Sequence, residues 1–297
     1  MRRVVLIVNP YSTGVTRRRV AEVTAALARH AEVILRQTEA KGHAVQLAGE
    51  AAGEADAVVV LSGDGTYNEA INGAAGKLPF GFLPGGGASV FPRALGLPRD
   101  PVAAADRVGR ALETGRTVSI SLGRVNGRLF CFSAGIGFDA EAVRRVDELG
   151  RRDDGKRPGD LAFALAIVRA LASHRGRLEP ELEVKGYGRA ALAFVANCTP
   201  YTYAKGLGLR IAPEADFELG LDLVAPIRVR RRRLVPTVVE LMTGRVRDRG
   251  PYLYGHDLDR LEVVCDRPLP LHADGEDMGD VREAIFEAER SAVAVLV

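Results

Sequence analysis

Short runs of consecutive apolar residues, each cut off by a turn former and followed by a helical repeat, dominate the first third of this chain. Val4 to Val8 ends at Asn9-Pro10, Ala57 to Leu61 ends at Ser62-Gly63, and Phe80 to Leu83 ends at Pro84-Gly85-Gly86-Gly87. A strand that is apolar at every position is buried on both faces, and such strands belong to parallel sheets covered by helices. Between them, Val20, Val23 and Leu27 recur at helical spacing, Glu32 to Leu35 reads as a further strand, and Gly42 to Ala52 as a helix. Asp100-Pro101 supplies an N-cap and a first-turn proline for a helix with Val102, Ala105, Val108 and Leu112 on one face, closed by Gly115. Strands alternating with helices predict an α/β domain over residues 1–115.

The pattern changes after Gly115. Val118 to Val125, an Asn126-Gly127 turn and Leu129 to Ser133 predict a hairpin. Phe132 to Phe138, with Gly135 and Gly137, reads as a loop. A helix is predicted over Asp160 to Ala172, flanked by the charged stretch Arg151 to Arg157. Leu182 to Val184, Ala191 to Ala196, Leu221 to Val224, Leu261 to Cys265, Leu269 to His272 and Ser291 to Val297 are short strands separated by glycine and proline. Residues 116–287 are therefore expected to form a β-rich domain, an antiparallel sandwich or barrel.

Composition narrows the class. The 297 residues are 47% hydrophobic and 27% charged, which suits a globular chain and not a disordered one. No apolar run reaches the roughly 18 residues that a spanning helix needs. Five apolar residues before Asn9-Pro10 are too few for a signal-peptide core. Cys131, Cys198 and Cys265 are widely spaced and odd in number, so a disulfide framework and a CxxC metal site are not expected, and a reducing cytoplasm is. The net charge of +3 is too mild to point to nucleic acid.

Four motifs carry chemistry. Ser62-Gly63-Asp64-Gly65-Thr66-Tyr67-Asn68-Glu69 sits at the carboxyl end of a buried strand and opens a helix, where open α/β sheets bind ligands. Gly63 and Gly65 let backbone amides approach a phosphate. Asp64 would repel a bare phosphate, which suggests a bridging Mg²⁺ or water; a tight turn with Asp64 as helix cap is the equal alternative. Pro84 to Phe91 is a second glycine-rich turn, an anion nest or a plain loop. Asn9 and Ser12 offer donors at the same edge. Late in the chain, Asp274 and Glu276 flank Gly275, so two carboxylates project from one turn; a carboxylate there can accept a proton from a hydroxyl, and a solvated hairpin turn is the plainer reading.

In this order the motifs resemble the diacylglycerol kinase catalytic-domain family, which includes bacterial soluble lipid kinases and sphingosine kinases and is related in fold to NAD kinases. Asn9 to Ser12 matches its Asn-Pro-x-Ser, Ser62 to Gly73 its Gly-Gly-Asp-Gly-Thr-x-Asn-Glu-x-x-Asn-Gly, and Pro84 to Arg93 its second glycine motif. Gly135 to Ala140 matches Gly-x-Gly-x-Asp-Ala, and Asp274 to Glu276 matches Asp-Gly-Glu. The resemblance implies an NAD kinase-like α/β domain, to which residues 288–297 return, followed by a C-terminal antiparallel β-sandwich for the lipid substrate. It implies an ATP-dependent kinase acting on a diacylglycerol-like or long-chain-base lipid, with a weakly catalytic pseudokinase or an NAD kinase as alternatives.

By the same resemblance, Asn9, Ser12, Thr38, Ser62, Gly63, Asp64, Gly65, Thr66, Tyr67, Asn68, Gly86 and Gly87 would contact ATP. Asp64 would organise Mg²⁺ through water. Glu276, with Asp274 beside it, would be the general base, facing the same cleft as Asp64. Three departures stand out: Gly87, Ser89 and Val90 replace a threonine, an asparagine and an aspartate of the family pattern. Glu218-Leu219-Gly220 replaces Asp-Asp-Gly, so no structural Mg²⁺ is expected in the second domain. The run Arg228-Val-Arg-Arg-Arg-Arg233 is a solvated face or, on a lipid kinase, a peripheral contact with anionic membrane.

Overall fold

The structure, a computed structural model, describes residues 2–148, 174–204, 207–246 and 250–297. The helix expected over Asp160 to Ala172 and the charged stretch before it lie outside the described residues. The chain divides into two compact units, Met1–Ser121 with Ser291–Val297, and Leu122–Arg290. The division falls later than Gly115 because the strand Thr117–Val125 begins in the first unit and ends in the second.

In the first unit, β1 (Arg3–Val8), α1 (Arg17–Ala28), β2 (Glu32–Gln37), α2 (His43–Ala51), β3 (Ala57–Ser62), α3 (Asp64–Ala74), β4 (Phe80–Pro84), α4 (Val90–Ala94) and α5 (Pro101–Thr114) follow in order. The sheet runs β4-β3-β1-β2, parallel throughout, and Val295 from the end of the chain pairs in parallel with Phe80 on β4. Every residue of β3 and β4 is buried, as uninterrupted apolar strands between helices must be. The Asp100 side chain accepts the Ala103 amide at 2.8 Å to cap α5, and Gly115 closes that helix at a φ of 70°.

The second unit is mainly antiparallel. It contains β5 (Thr117–Val125, from Leu122 onward), β6 (Arg128–Phe130), β7 (Ser133–Ile136), α6 (Phe138–Glu148), β8 (Leu182–Val184), β9 (Gly188–Ala190), β10 (Ala193–Ala196), β11 (Thr202–Ala204), β12 (Leu207–Leu209), β13 (Leu221–Pro226), α7 (Leu234–Thr243), β14 (Tyr252–Leu258), β15 (Arg260–Ala273) and β16 (Glu276–Leu296, to Arg290). The central order is β14-β13-β10-β7-β15-β16. Alternation sets two cores: Ala193, Val195, Leu221 and Leu223 face one apolar cluster, whereas Phe194, Ala196 and Val224 face another.

Three expectations are corrected here. Leu129 to Ser133 is not one strand, because the chain kinks at Cys131-Phe132 between β6 and β7. The loop expected around Gly135 is the fully buried strand β7, followed directly by α6. Leu261 to Cys265 and Leu269 to His272 form one strand whose register slips between Val264 and Leu269, around the Asp266-Arg267-Pro268 segment.

Candidate active site

Register places the expected nucleotide residues. Val8 of β1 lies level with Gln37 of β2 and Leu61 of β3, and Ser62 lies level with Pro84 of β4. The strand-end residues Asn9, Thr38, Gly63 and Gly85 therefore all emerge on one carboxyl edge of the sheet. The Thr38 amide donates to Val8 O at 2.9 Å, which fixes it there. Side chains connect the edge. Asn9 Nδ2 donates to Thr66 Oγ1 at 3.0 Å, Ser62 Oγ donates to the same oxygen at 2.8 Å, and the Ser12 and Ser62 hydroxyls lie 3.3 Å apart. Ser62, which stands where the family pattern has glycine, thus adds a hydroxyl to this network.

The two glycine motifs meet backbone to backbone. A Cβ on Gly86 would stand 2.7 Å from Gly63 Cα, and Gly85 N donates to Ser62 O at 2.7 Å. Only glycine permits that approach. It sets the second glycine loop beside the first turn of α3, where the positive end of the helix dipole suits a phosphate.

Asp64 has a structural task that the sequence did not reveal. Its Oδ2 accepts the Val90 amide and its Oδ1 the Phe91 amide, each at 3.0 Å, so it ties α3 to the start of α4. Tyr67 and Asn68, expected at the nucleotide, are packed inward instead. Tyr67 is fully buried, its hydroxyl lying 2.6 Å from Ser62 O and 2.7 Å from Leu83 O. Burial, reinforced by the charge of Asp64, pushes that hydroxyl well above its ordinary pKa. Asn68 is buried too, and its Oδ1 accepts Asn72 Nδ2 at 3.1 Å. Glu69 reaches α2, where its carboxylate accepts the Ala44 amide at 3.3 Å. Much of this motif therefore supports the edge from beneath.

The second cluster lies in the other unit, at the β15–β16 hairpin. Asp274 and Gly275 both have positive φ, 50° and 74°, as a two-residue type I′ turn demands. The Asp274 carboxylate accepts the amides of Cys131, Phe132 and Ser133 at 2.6, 2.9 and 3.2 Å. Asn197 serves the carbonyls of the same kink, its amide donating to Phe132 O and its Nδ2 to Cys131 O. Together they satisfy a buried kink that has no ladder partner of its own. Asp274, expected beside the base, is thus a backbone anchor.

Glu276 opens β16 and is 5% exposed. Its Oε2 accepts Arg128 Nη2 at 2.8 Å. The neighbouring Asp277 is gripped by Arg144 at 2.9 and 3.0 Å; burial raises its pKa, but the Arg144 hydrogen bonds outweigh burial and hold it below the ordinary carboxylate range. Behind the hairpin, Tyr201 OH donates to Asp139 Oδ2 at 2.6 Å, and His272 Nε2 lies 2.6 Å from the same oxygen. A Cβ on Gly135 would fall 2.4 Å from that oxygen, which accounts for the first glycine of Gly-x-Gly-x-Asp-Ala. Arg128, Tyr201 and Asn197 were not visible as site residues in the sequence. Arg128 follows the Asn126-Gly127 turn, but nothing local links it to residue 276.

A magnesium ion held directly by the protein needs several oxygen ligands converging on one point. Among the described residues no three His, Cys, Asp or Glu side chains converge as metal ligands, and both Asp64 oxygens already accept amides. The described residues thus form no all-protein cage of His, Cys, Asp and Glu ligands; magnesium at nucleotide sites is held instead by one or two carboxylates together with the phosphates. At the family's second acidic position is Leu219; nearby, Asp222 is fully buried with Oδ1 2.8 Å from His256 Nδ1.

Similarity to known proteins extends over both units. The profile of the diacylglycerol kinase catalytic domain matches residues 3–125, and that of the YegS C-terminal NAD kinase beta sandwich-like domain matches residues 133–297. The chain is 28% identical to the diacylglycerol kinase of Bacillus subtilis, over 93% of this chain and 90% of that one. It is 30% identical to the "Probable lipid kinase YegS-like" of Pseudomonas aeruginosa, over 92% and 89%. A crystal structure of a diacylglycerol kinase from Bacillus anthracis superposes with a TM-score of 0.73 at 18% identity, covering 99% of this chain and 96% of that one, a likeness of fold.

Proposed function

The chain belongs to the diacylglycerol kinase catalytic-domain family, with its YegS-type β-sandwich, and on that premise we propose that it transfers the γ-phosphoryl group of ATP to a hydroxyl of a diacylglycerol-like or long-chain-base lipid. The observation that carries this reading is the single carboxyl edge that gathers Asn9, Ser12, Thr38, Ser62 and the two glycine turns around the start of α3. Phosphoryl transfer asks little covalent chemistry of a protein and much positioning. Amides of the paired glycine loops hold the phosphates, and Asn9, Ser12 and Thr66 order that edge.

On this reading the lipid hydroxyl oxygen bonds to the γ-phosphorus, the bridge to the β-phosphate breaks, ADP leaves, and the hydroxyl proton passes to Glu276. Arg128 fixes the rotamer of that carboxylate and is a positioning residue. Asp274 holds the hairpin that presents Glu276, and Asp64 holds the glycine loop. A Mg²⁺ ion carried on the nucleotide phosphates would neutralise their charge, meeting Asp64 only through water.

Incubation with labelled ATP and a panel of diacylglycerol, ceramide and sphingosine tests the reading. Transfer to one of these lipids is expected. Transfer to NAD alone would establish a nucleotide kinase instead, and ATP binding without turnover would establish a pseudokinase.

A further inference from the structure

Helix α7, the ten residues Leu234–Thr243, has a face that the reaction does not use. It turns Leu234, Thr237 and Leu241 inward: Thr237 is buried, and the two leucines pack against the second apolar cluster of their unit. The opposite side exposes Val235 at 71%, Val238 at 39%, Val239 at 48% and Met242 at 40%. Spacings of three, one and three residues put these four side chains within an arc of about 100° on a helix of 3.6 residues per turn. Elsewhere among the described residues the large exposed apolar side chains are scattered singly, as is ordinary on a soluble surface.

Charge frames the stripe. The residues leading into α7 are Arg228, Arg230, Arg231, Arg232 and Arg233, all exposed. Val229 between them is buried and bridges to Leu178 through both its amide and its carbonyl, so the backbone of the run is fixed while its side chains point outward. Arg228 pairs with Glu179 and Arg233 with Glu240; Arg230, Arg231 and Arg232 have no acidic partner among the described residues. The one acid of α7, Glu240, accepts the Tyr252 hydroxyl at 2.6 Å on the inner side, so the apolar stripe carries no negative charge. A hollow of about 450 Å³ beside the helix is lined by Arg228, Arg230, Arg233 and Thr237, donors suited to anionic head groups.

We infer that α7 is an interfacial docking element: its valine and methionine stripe enters the outer layer of an anionic lipid bilayer while the arginine run lies on the head groups. The inference rests on the lipid-kinase reading, whose acceptor resides in such a bilayer. An apolar face on a basic element describes an interfacial helix better than it describes a protein-binding groove. The arginines steer and are screened by salt, whereas the valines partition and are not.

The test uses the full chain without ATP, sedimented with phosphatidylcholine vesicles with and without phosphatidylglycerol. Wild type is expected to bind the anionic vesicles and not the neutral ones. The double variant Val235→Gln/Val239→Gln, altered only at exposed positions, should lose about ten-fold or more in partitioning at low and at high salt. Arg230→Gln/Arg232→Gln should lose about five-fold per arginine at low salt and show a flatter salt dependence. All variants should phosphorylate a short-chain, water-soluble diacylglycerol at the wild-type rate, which shows that they are folded. Unchanged vesicle binding by both double variants would overturn the inference, and so would a wild-type dimer in vesicle-free solution that Val239→Gln dissolves. Intact docking with no lipid phosphorylated would leave the inference standing and remove the kinase reading.

Discussion

Arg128 Nη2 donates to Glu276 Oε2 at 2.8 Å, joining the residue after one hairpin turn to the first residue after another. Arg128 is 30% exposed and Glu276 7% by side chain, so the carboxylate depends on this partner more than the guanidinium does. Replacing Arg128 with Gln should lower kcat about ten-fold or more while KM for ATP stays level, because a mispositioned base affects the reacting atoms and not nucleotide binding. Arg128→Lys, which keeps the charge but not the fork, should recover part of kcat. Equal losses in kcat and ATP affinity would mean that the pair merely holds the fold.

Asp64→Asn should destabilise as well as inactivate. One carboxylate oxygen becomes an NH₂ group that cannot accept from an amide, so either Val90 N or Phe91 N loses its partner. Leaving one such donor unmet costs about 1–3 kcal/mol. Thermal unfolding should show the loss, and calorimetry should show weakened ATP binding. A variant with unchanged melting and unchanged ATP affinity would contradict the role given to this residue.

Neighbouring glycines of the second motif should respond in opposite ways. At Gly87 an added Cβ meets nothing within 4 Å, whereas at Gly86 it meets Gly63 Cα at 2.7 Å. Gly87→Thr, the family's residue, should leave stability within about 0.5 kcal/mol of wild type. Gly86→Ala should cost several-fold more and abolish ATP binding by separating the two loops. Ser89 adopts a φ of 44°, where asparagine is better tolerated than serine, so Ser89→Asn should be neutral or slightly stabilising. Urea unfolding of the three variants separates these outcomes.

How much of the fold and site was legible in the sequence depended on how local the cause of each part was. β1, β3 and β4 are apolar at nearly every position, and α5 carries its own cap, first-turn proline and closing glycine, so short-range chemistry defined them. The break at Cys131-Phe132 depends on Asp274 and Asn197, far along the chain, and Leu129 to Ser133 by itself looks like a plain strand. The inward turn of Tyr67 likewise depends on carbonyls from two strands. Helix α7 carries no one-sided sequence pattern because it is apolar on both sides: Leu234 and Leu241 inside, Val235, Val238, Val239 and Met242 outside. The motif positions were readable, but which of their side chains turn inward was not.

Asp222 predicts a pH dependence of stability. Burial raises its pKa above the usual 3.8, and the hydrogen bonds from the Asp257 amide and His256 offset this only in part. A carboxyl with a raised folded-state pKa holds more protons folded than unfolded, so its contribution is most favourable below the unfolded pKa and is lost as pH rises through the folded one. Unfolding free energies of wild type and Asp222→Asn, measured from acidic to neutral pH, should therefore diverge, with wild type declining relative to the variant. Parallel curves would contradict the assignment.

The proposed transfer stands or falls on Glu276 as the proton acceptor. Glu276→Gln keeps the size of the side chain and an oxygen for Arg128, and removes the charge that takes the proton. Single-turnover phosphorylation of the accepted lipid by the purified variant, alongside ATP binding by calorimetry, is the most direct measurement. The mechanism predicts a rate about 10²–10⁴-fold below wild type with ATP affinity unchanged. A rate within a few-fold of wild type would show that the proton goes elsewhere and would contradict it.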